Sequence, residues 1–456
     1  MKYISTRENT EPVTFKESVM MGLARDGGLL VPCEIPNVSD NLNDWMHLSF
    51  QELALEIISI FADDISKTDL KIIIDESYAN FRDDEIAPHV KVGDFYILEL
   101  FHGPTLAFKD IALQFLGNVF SYILQLNGGS LNILGATSGD TGSAAIYGVK
   151  GKPNINIFIM HPTGRVSPIQ EMQMTSVIDK NVFNIGINGT FDDCQYIMKS
   201  TFSDLDFKDK YNLGAINSVN WSRVLAQIVY YFYSGLKIMK NYGSSAVRFS
   251  VPTGNFGNIF AGYLSAKMGL PIKELLLATN ENDILSRFFN HGDYTLREVL
   301  PTVSPSMDIQ LASNFERYLF LKFNQHESFR SFIKHGICKV EKKREFDIDP
   351  IFKACKGTTE ETLNMIRKYY KNHNYVLDPH SALGVLAAEK VKSNTPTICL
   401  ATAHPAKFSN TINDAIGMNA THEVLEALKG RPTQFDNVEN DVDSVKQYLV
   451  DKLNNS

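Results

Sequence analysis

The chain of 456 residues lacks what a disulfide framework or a structural zinc site would need: its five cysteines, Cys33, Cys194, Cys338, Cys355 and Cys399, lie far apart and form no C-x-x-C pair. They read as reduced thiols in a cytosol. A basic excess is also missing, since 44 Lys and Arg against 52 Asp and Glu leave a net charge of −8. That argues against nucleic acid or an anionic membrane surface as partner, but a local cationic pocket for a small anion stays open. No long apolar run is present. The opening MKYISTRENTEP has no apolar h-region, and the most apolar helical stretch, VLAQIVYYFYSGLKIM, is interrupted by Gln227 and Gly235. No exported or membrane-spanning segment is expected, and the location expected is cytoplasmic. Repeats, low-complexity tracts and HExxH-type histidine spacings are absent too. What remains is ordinary globular composition, 44% apolar and 21% charged, in a chain long enough for two or three domains.

Residues 15 to 81 are mostly helical in pattern, with FKESVMMGLA and SFQELALEIISIFA separated by the turn-rich DGGLLVPCEIP. From about residue 95 the character changes. Strand-like runs each end in Gly, Ser, Thr or Asn and lead into a helix: LNILGATSGDTG, NINIFIMHPTG, NVFNIGINGT, VRFSVPTGNFG, ELLLATNEND and TICLATAHPAK. This alternation predicts a parallel α/β sheet covered on both faces, with ligands at the carboxyl ends of its strands. The expected units are a helical region 1–88, an α/β core 89–430 with a helical insertion around 283–370, and a C-terminal helical extension 431–456.

Lys109, in FHGPTLAFKDIALQF, is the most informative residue. The His102–Thr105 turn breaks a strand-like run, and the apolar spacing after Phe108 predicts a helix, so Lys109 falls at a helix start. There the positive end of the macrodipole and the apolar flank of Leu106, Ala107 and Phe108 both favour the neutral amine, which is a Schiff-base nucleophile. The competing reading is a solvated lysine paired near Asp110. No other lysine sits in a comparable loop.

Four further loops carry candidate chemistry. Gly254-Asn255-Phe256-Gly257-Asn258 joins a strand to a helix; its glycines allow a tight turn that converges N–H groups on one point, a phosphate cradle, although an ordinary turn fits as well. Thr137, Ser138, Asp140 and Thr141 sit at a second helix start. Small hydroxyls and free N–H groups there suit a carboxylate, and capping by Ser138 or Asp140 is the alternative. Asp140 would repel an anion and reads as a cap or an acceptor for a neighbour. Asn217, Ser218 and Arg223 could bind a phosphate monoester, the guanidinium taking two oxygens in parallel, or Arg223 could be a surface residue. Thr402, at the end of a buried strand, could bond a heterocyclic nitrogen without protonating it. His102, His161 and His380 are ambiguous.

Taken in order, HGPTLAFKD, GATSGDTGSAA, NSVNWSR, PTGNFGN and ATAHPAKF resemble the threonine synthases, fold-type II pyridoxal-phosphate enzymes, and the resemblance runs from YISTRE to ATAHPAKFSNTI. SGDTG matches the longer microbial and fungal branch. One departure is Glu8-Asn9 after STR, where the family usually has glycine. The resemblance implies two open parallel-sheet lobes plus a small helical N-terminal domain, with pyridoxal 5'-phosphate as cofactor. It implies Lys109 as the Schiff-base lysine, Gly254, Asn255, Phe256, Gly257 and Asn258 on the cofactor phosphate, and Thr402 at the pyridine nitrogen. It further implies Thr137, Ser138, Asp140 and Thr141 near the substrate carboxylate, and Asn217, Ser218 and Arg223 on the substrate phosphate. The implied reaction, that of a carbon–oxygen lyase acting on phosphates, converts O-phospho-L-homoserine and water into L-threonine and phosphate. The alternative is a phospho-lyase releasing 2-oxobutyrate on the same scaffold. A cofactor-free scaffold protein would have lost the lysine or the glycines. Monomer and homodimer both fit.

Overall fold

Val247–Pro252, buried along its whole length, lies inside a six-stranded sheet in the computed structural model, which describes residues 1–324, 326–340 and 348–454. The strand order is Phe352–Lys356, Ile272–Thr279, Val247–Pro252, Thr397–Ala401, Phe95–Glu99 and His89–Val92. All neighbours are parallel except the last pair. A second sheet, parallel throughout, runs Asp436–Val438, Val182–Ile187, Ile155–Pro162, Leu131–Ala136 and Leu213–Gly214. The continuous apolar runs of the sequence are these central strands, covered by helices on both faces. There are therefore two sheets, one per lobe, parallel but for a single antiparallel edge pair in the first.

Three boundaries differ from the sequence reading. The 283–370 stretch does hold helices, among them Phe315–Phe323 and Thr359–His373, but it also supplies the edge strand Phe352–Lys356; part of it lies outside the described residues. The segment after 430 is more than a helix, because Asp436–Val438 completes the five-stranded sheet before Val442–Asn454 begins. Gln227 and Gly235 do not interrupt the helix Trp221–Tyr242; both are buried within it, because this helix is covered on nearly every side by protein.

Two helix contacts position the site. Lys109–Asn127 lies against Asp140–Val149 at a glycine seam, where a Cβ on Gly117 would stand 2.0 Å from the Gly148 carbonyl oxygen and one on Gly148 would stand 2.5 Å from the Leu113 carbonyl oxygen. Any side chain there would push the helices apart, and the seam sets their first residues, Lys109 and Asp140, side by side. The N-terminal region is tied to the core through Tyr3, whose hydroxyl donates to the Phe61 carbonyl at 2.7 Å and accepts from Trp221 Nε1 at 3.1 Å. The buried Arg317 joins the Leu30 and Val219 carbonyls. Among the described residues no helix is long and apolar enough to cross a membrane.

Candidate active site

Lys109 opens its helix, as the apolar spacing predicts, and its side chain is only 11% exposed. Its partner is not the adjacent Asp110. That carboxylate turns back into the HGPT turn, accepting from the Thr105 N–H at 2.8 Å and the Thr105 hydroxyl at 2.7 Å. Lys109 Nζ instead reaches Asp140 Oδ2 at 3.5 Å. The other Asp140 oxygen accepts from Lys407 Nζ at 3.0 Å and Gln170 Nε2 at 2.8 Å. Burial pulls the Lys109 amine below its ordinary pKa; Asp140 opposes this, while Lys407 and Arg223 add to it. Burial alone would raise Asp140, but Lys407 and Lys109 outweigh it and hold the carboxylate well below its usual range.

Lys407 is the residue that sequence reading missed, and it corrects the view that no other lysine sits comparably. It is fully buried, and besides Asp140 it donates to the Thr105 carbonyl at 2.7 Å and Gln173 Oε1 at 2.8 Å. An ammonium has three donors. All three are spent, so Lys407 is a fixed cation and not a rival nucleophile. Its only signal in the sequence is a lysine two residues after the His404-Pro405 turn of a motif already carrying Thr402.

In the 254–258 loop the left-handed residue is not a glycine. Phe256 has φ 63°, whereas neither Gly254 nor Gly257 lies in that region. The strain is offset by packing, because the buried ring meets Phe289, Phe315, Tyr318 and Phe352. Gly254 is needed for close approach: a Cβ there would stand 2.5 Å from the Ser306 carbonyl oxygen. Asn258 Oδ1 accepts from Tyr230 at 2.6 Å and Tyr231 at 2.9 Å, which fixes the amide and leaves its buried Nδ2 without a partner. Asn255 is held through its side-chain oxygen by Ser313 and through its carbonyl by Asn314, two residues of the 283–370 stretch that the sequence did not point to. No side chain caps this helix start.

At the other loop Thr137 does the capping that was assigned to Ser138 or Asp140. Its hydroxyl accepts from the Gly139 N–H at 3.0 Å and the Gly142 N–H at 2.9 Å, and so is already engaged. Ser138 is exposed and Thr141 half-buried. Arg223 is not a surface residue. It is buried, donates through Nη1 to the Ile216 carbonyl at 3.0 Å, keeps Nε unpartnered, and has no carboxylate partner among the described residues. Burial brings its pKa down to about 10. Asn217 and Ser218 are half-buried, with the Ser218 hydroxyl 3.5 Å from Ser313. Thr402 is buried beside the lysine segment, its carbonyl accepting from the Phe108 N–H at 2.8 Å and its N–H donating to Ser381 Oγ at 3.1 Å. His380 takes up an intermediate place: Nδ1 pairs with Asp378 at 3.0 Å and Nε2 accepts from the Ser306 N–H at 3.3 Å, bracing the segment against Gly254. His102 pairs with Glu99 at 2.9 Å, and His161 is buried against Phe435.

These residues fit a pyridoxal phosphate. An uncapped helix start, an orphaned amide hydrogen pair on Asn258 and a glycine where a Cβ would collide suit its phosphate. A buried lysine with a depressed pKa suits its aldehyde.

Comparison with known proteins agrees. The family description "Threonine synthase N terminus" matches residues 2–78, and "Threonine synthase, C-terminal" matches residues 381–449. The threonine synthase of Saccharomyces cerevisiae is 45% identical, over 91% of this chain and 89% of its own. Threonine synthase-like 2 of Xenopus laevis is 37% identical, over 94% of this chain and 93% of its own. The crystal structure of PLP-bound threonine synthase from Brucella melitensis superposes with a TM-score of 0.93 at 42% identity, covering 99% of each chain. The fold, the lysine at its helix start and the full-length likeness converge: the chain belongs to the threonine synthase family, pyridoxal-phosphate-dependent lyases of fold type II.

Proposed function

We propose that this chain converts O-phospho-L-homoserine and water into L-threonine and inorganic phosphate with Lys109 as its proton carrier. The observation that carries the reading is the buried guanidinium of Arg223, uncompensated by any carboxylate among the described residues, in electrostatic reach of the Lys109 amine. Such a group calls for an anionic ligand. When bound, pyridoxal 5'-phosphate supplies the electron sink that makes the substrate's Cα and Cβ protons removable. Gly254, Asn255, Phe256, Gly257 and Asn258 would hold its phosphate, and Thr402 would stand at its ring nitrogen. The Lys109 amine takes the protons from Cα and Cβ in turn. Arg223, Asn217 and Ser218 hold the substrate phosphate while its oxygen–Cγ bond breaks, meeting the charge that develops. Lys109 then delivers one of those protons to Cγ, the water oxygen bonds Cβ while its proton goes to the departed phosphate, and Cα regains the other. Ser138 and Thr141 face the substrate carboxylate. Thr137 and Asp140 act behind them, the one capping the helix and the other fixing two lysines.

The same reading keeps 1–88 as an N-terminal unit and 89–430 as the core, to which the following segment adds the strand Asp436–Val438 and the helix Val442–Asn454. It places the protein in the cytoplasm, as monomer or homodimer, with no nucleic acid partner; the charge of −8 supports this. Incubation of the cofactor-loaded protein with O-phospho-L-homoserine, with threonine, phosphate and 2-oxobutyrate all quantified, tests it. Threonine equal to phosphate is expected. Mainly 2-oxobutyrate would transfer the chain to the phospho-lyase reading.

A further inference from the structure

A cavity of about 490 Å³ is walled by Leu106 and His404 but by none of Lys109, Asp140, Arg223 or residues 254–258. Its size is that of a small-molecule site. The proposed reaction makes no use of it.

Two imidazoles in its wall have their tautomers locked. His404 Nδ1 accepts from the Ala406 N–H at 3.2 Å, and His422 Nδ1 accepts from the Val424 N–H at 3.2 Å. Each ring caps a helical turn with that nitrogen, so in the neutral form each carries its proton on Nε2. Burial keeps both rings neutral, bringing His404 down to about 3, with the neighbouring His422, His102 and Arg82 adding to it; His422 is lowered by burial and then Arg82, against Glu423. The ring centroids are 4.6 Å apart, and neither Nε2 has a partner among the described residues. Two N–H donors are thus presented together. Arg82 adds a third source: Nη1 is anchored on the His102 and Gly103 carbonyls, and the rest of the guanidinium has no hydrogen-bond partner among the described residues.

The one carboxylate lining the cavity is already engaged, because Glu99 accepts from His102 Nε2 at 2.9 Å and the Tyr375 hydroxyl at 2.7 Å. The same lining holds Phe101, Ile412, Ile416 and Met418, with the Phe101 ring edge-on to His404 at 5.4 Å between centroids. Donors and hydrocarbon in one cavity define the occupant. The same tautomer locks disfavour a metal ion, which would need the Nε2 lone pairs that the protons occupy.

We propose that this cavity binds a small organic anion, an oxyanion on an apolar body, with His404, His422 and Arg82 donating to the oxyanion and Phe101, Ile412 and Ile416 receiving the body. The wall is continuous with the catalytic segment. The His404 N–H donates to the Leu106 carbonyl at 3.0 Å, three residues before Lys109, and the Phe108 N–H donates to Thr402. An occupant therefore packs against the backbone that carries the lysine.

Calorimetric titration of the cofactor-loaded protein with benzoate tests the proposal, with benzyl alcohol and formate as the two half-ligands. Benzoate is expected to bind one to one, and each half-ligand about tenfold or more weakly, since each keeps only one kind of contact. His422→Ala, which removes a donor, and Ile416→Asp, which puts a carboxylate into the apolar lining, should each weaken benzoate by about tenfold and leave turnover of O-phospho-L-homoserine unchanged when benzoate is absent. The idea is overturned if benzoate gives no saturable heat, if both variants bind it as the wild type does, or if benzoate merely competes with O-phospho-L-homoserine. Failure here leaves the substrate reading untouched, because threonine formation is measured without benzoate.

Discussion

The two strand-to-helix turns that carry candidate chemistry share one architecture and differ in charge. Leu131–Ala136 leads into Asp140–Val149, and Val247–Pro252 leads into Gly257–Lys267. In the first, the protein puts its own carboxylate at the positive end of the helix and then fixes two lysines on it. In the second, no ionised side chain stands at the helix start; the donors are backbone N–H groups and the orphaned Asn258 amide. A filled helix terminus organises side chains, whereas an unfilled one takes an anion from outside. The difference supports the proposed division of roles, with Lys109 fixed by the first helix start and the cofactor phosphate taken by the second.

The largest effect should separate the two lysines of the filled terminus. Lys109→Ala is expected to abolish the borohydride-reducible linkage to the cofactor and reduce turnover to background. Peptide mapping after reduction would show it, and a linkage found on Lys407 in that variant would undo the argument from its three spent donors. Lys407→Met should keep the linkage and cost stability, about 3 kcal/mol as for breaking a buried pair. It should also move the pH profile. Lys407 helps depress the Lys109 amine, so its removal raises that pKa and leaves less free amine at a given pH. The rising limb of kcat, which reports the enzyme–substrate complex in which Lys109 is a free amine, should shift to higher pH. A limb that stays in place would mean that Lys407 only holds the fold.

Arg223→Ala removes the uncompensated cation without touching either helix start. A loss of about 2–4 kcal/mol in transition-state stabilisation, roughly 30- to 1000-fold in kcat/KM for O-phospho-L-homoserine, is expected. Cofactor content should not change. If both fell together, Arg223 would belong to the unfilled terminus and not to the substrate.

At the unfilled terminus, Gly254→Ala should lose cofactor on dialysis faster than Gly257→Ala. The new Cβ at 254 meets a backbone oxygen at 2.5 Å, whereas at 257 it meets the Asn314 side-chain amide at 3.1 Å, which can shift. Equal retention would mean that crowding by Ser306 does not shape the cradle.

Most of the fold was legible because buried parallel strands read as continuous apolar runs ending in small polar residues, and Lys109 was legible because apolar spacing restarts just after it. Sequence neighbours misled where spatial ones decide. Asp110 adjoins Lys109 in the chain but spends its oxygens on Thr105, and the pairing with Asp140 follows from a seam between Gly117 and Gly148 that no local pattern reveals. Lys407 was hidden for the same reason, its three acceptors coming from three separated segments. The edge strand Phe352–Lys356 carries two lysines in five residues and looks like surface, being the margin of a sheet. In the 254–258 loop the glycines drew attention from Phe256, whose left-handed backbone depends on aromatic neighbours distant in sequence.

Glu8 sharpens that last point with the smallest expected effect. It too is a non-glycine in the left-handed region, at φ 60°, and the family resemblance leads one to expect glycine there. Unlike Phe256 it is exposed, and among the described residues its side chain accepts a hydrogen bond from Asn324 Nδ2 at 3.3 Å. No buried ring is there to offset the left-handed backbone, which costs a side-chain-bearing residue about 1–2 kcal/mol. Glycine relieves this but loses more chain entropy on folding, so Glu8→Gly should stabilise by about 0.5–1 kcal/mol, read as a higher denaturant midpoint. Phe256→Gly relieves the same strain yet should destabilise by about 3–5 kcal/mol, because the buried ring goes with it. Opposite signs from one backbone conformation would establish that packing, and not tolerance of the loop, holds Phe256 left-handed. A Glu8→Gly variant no more stable than the wild type would instead show that the loop bears a left-handed side chain at little cost.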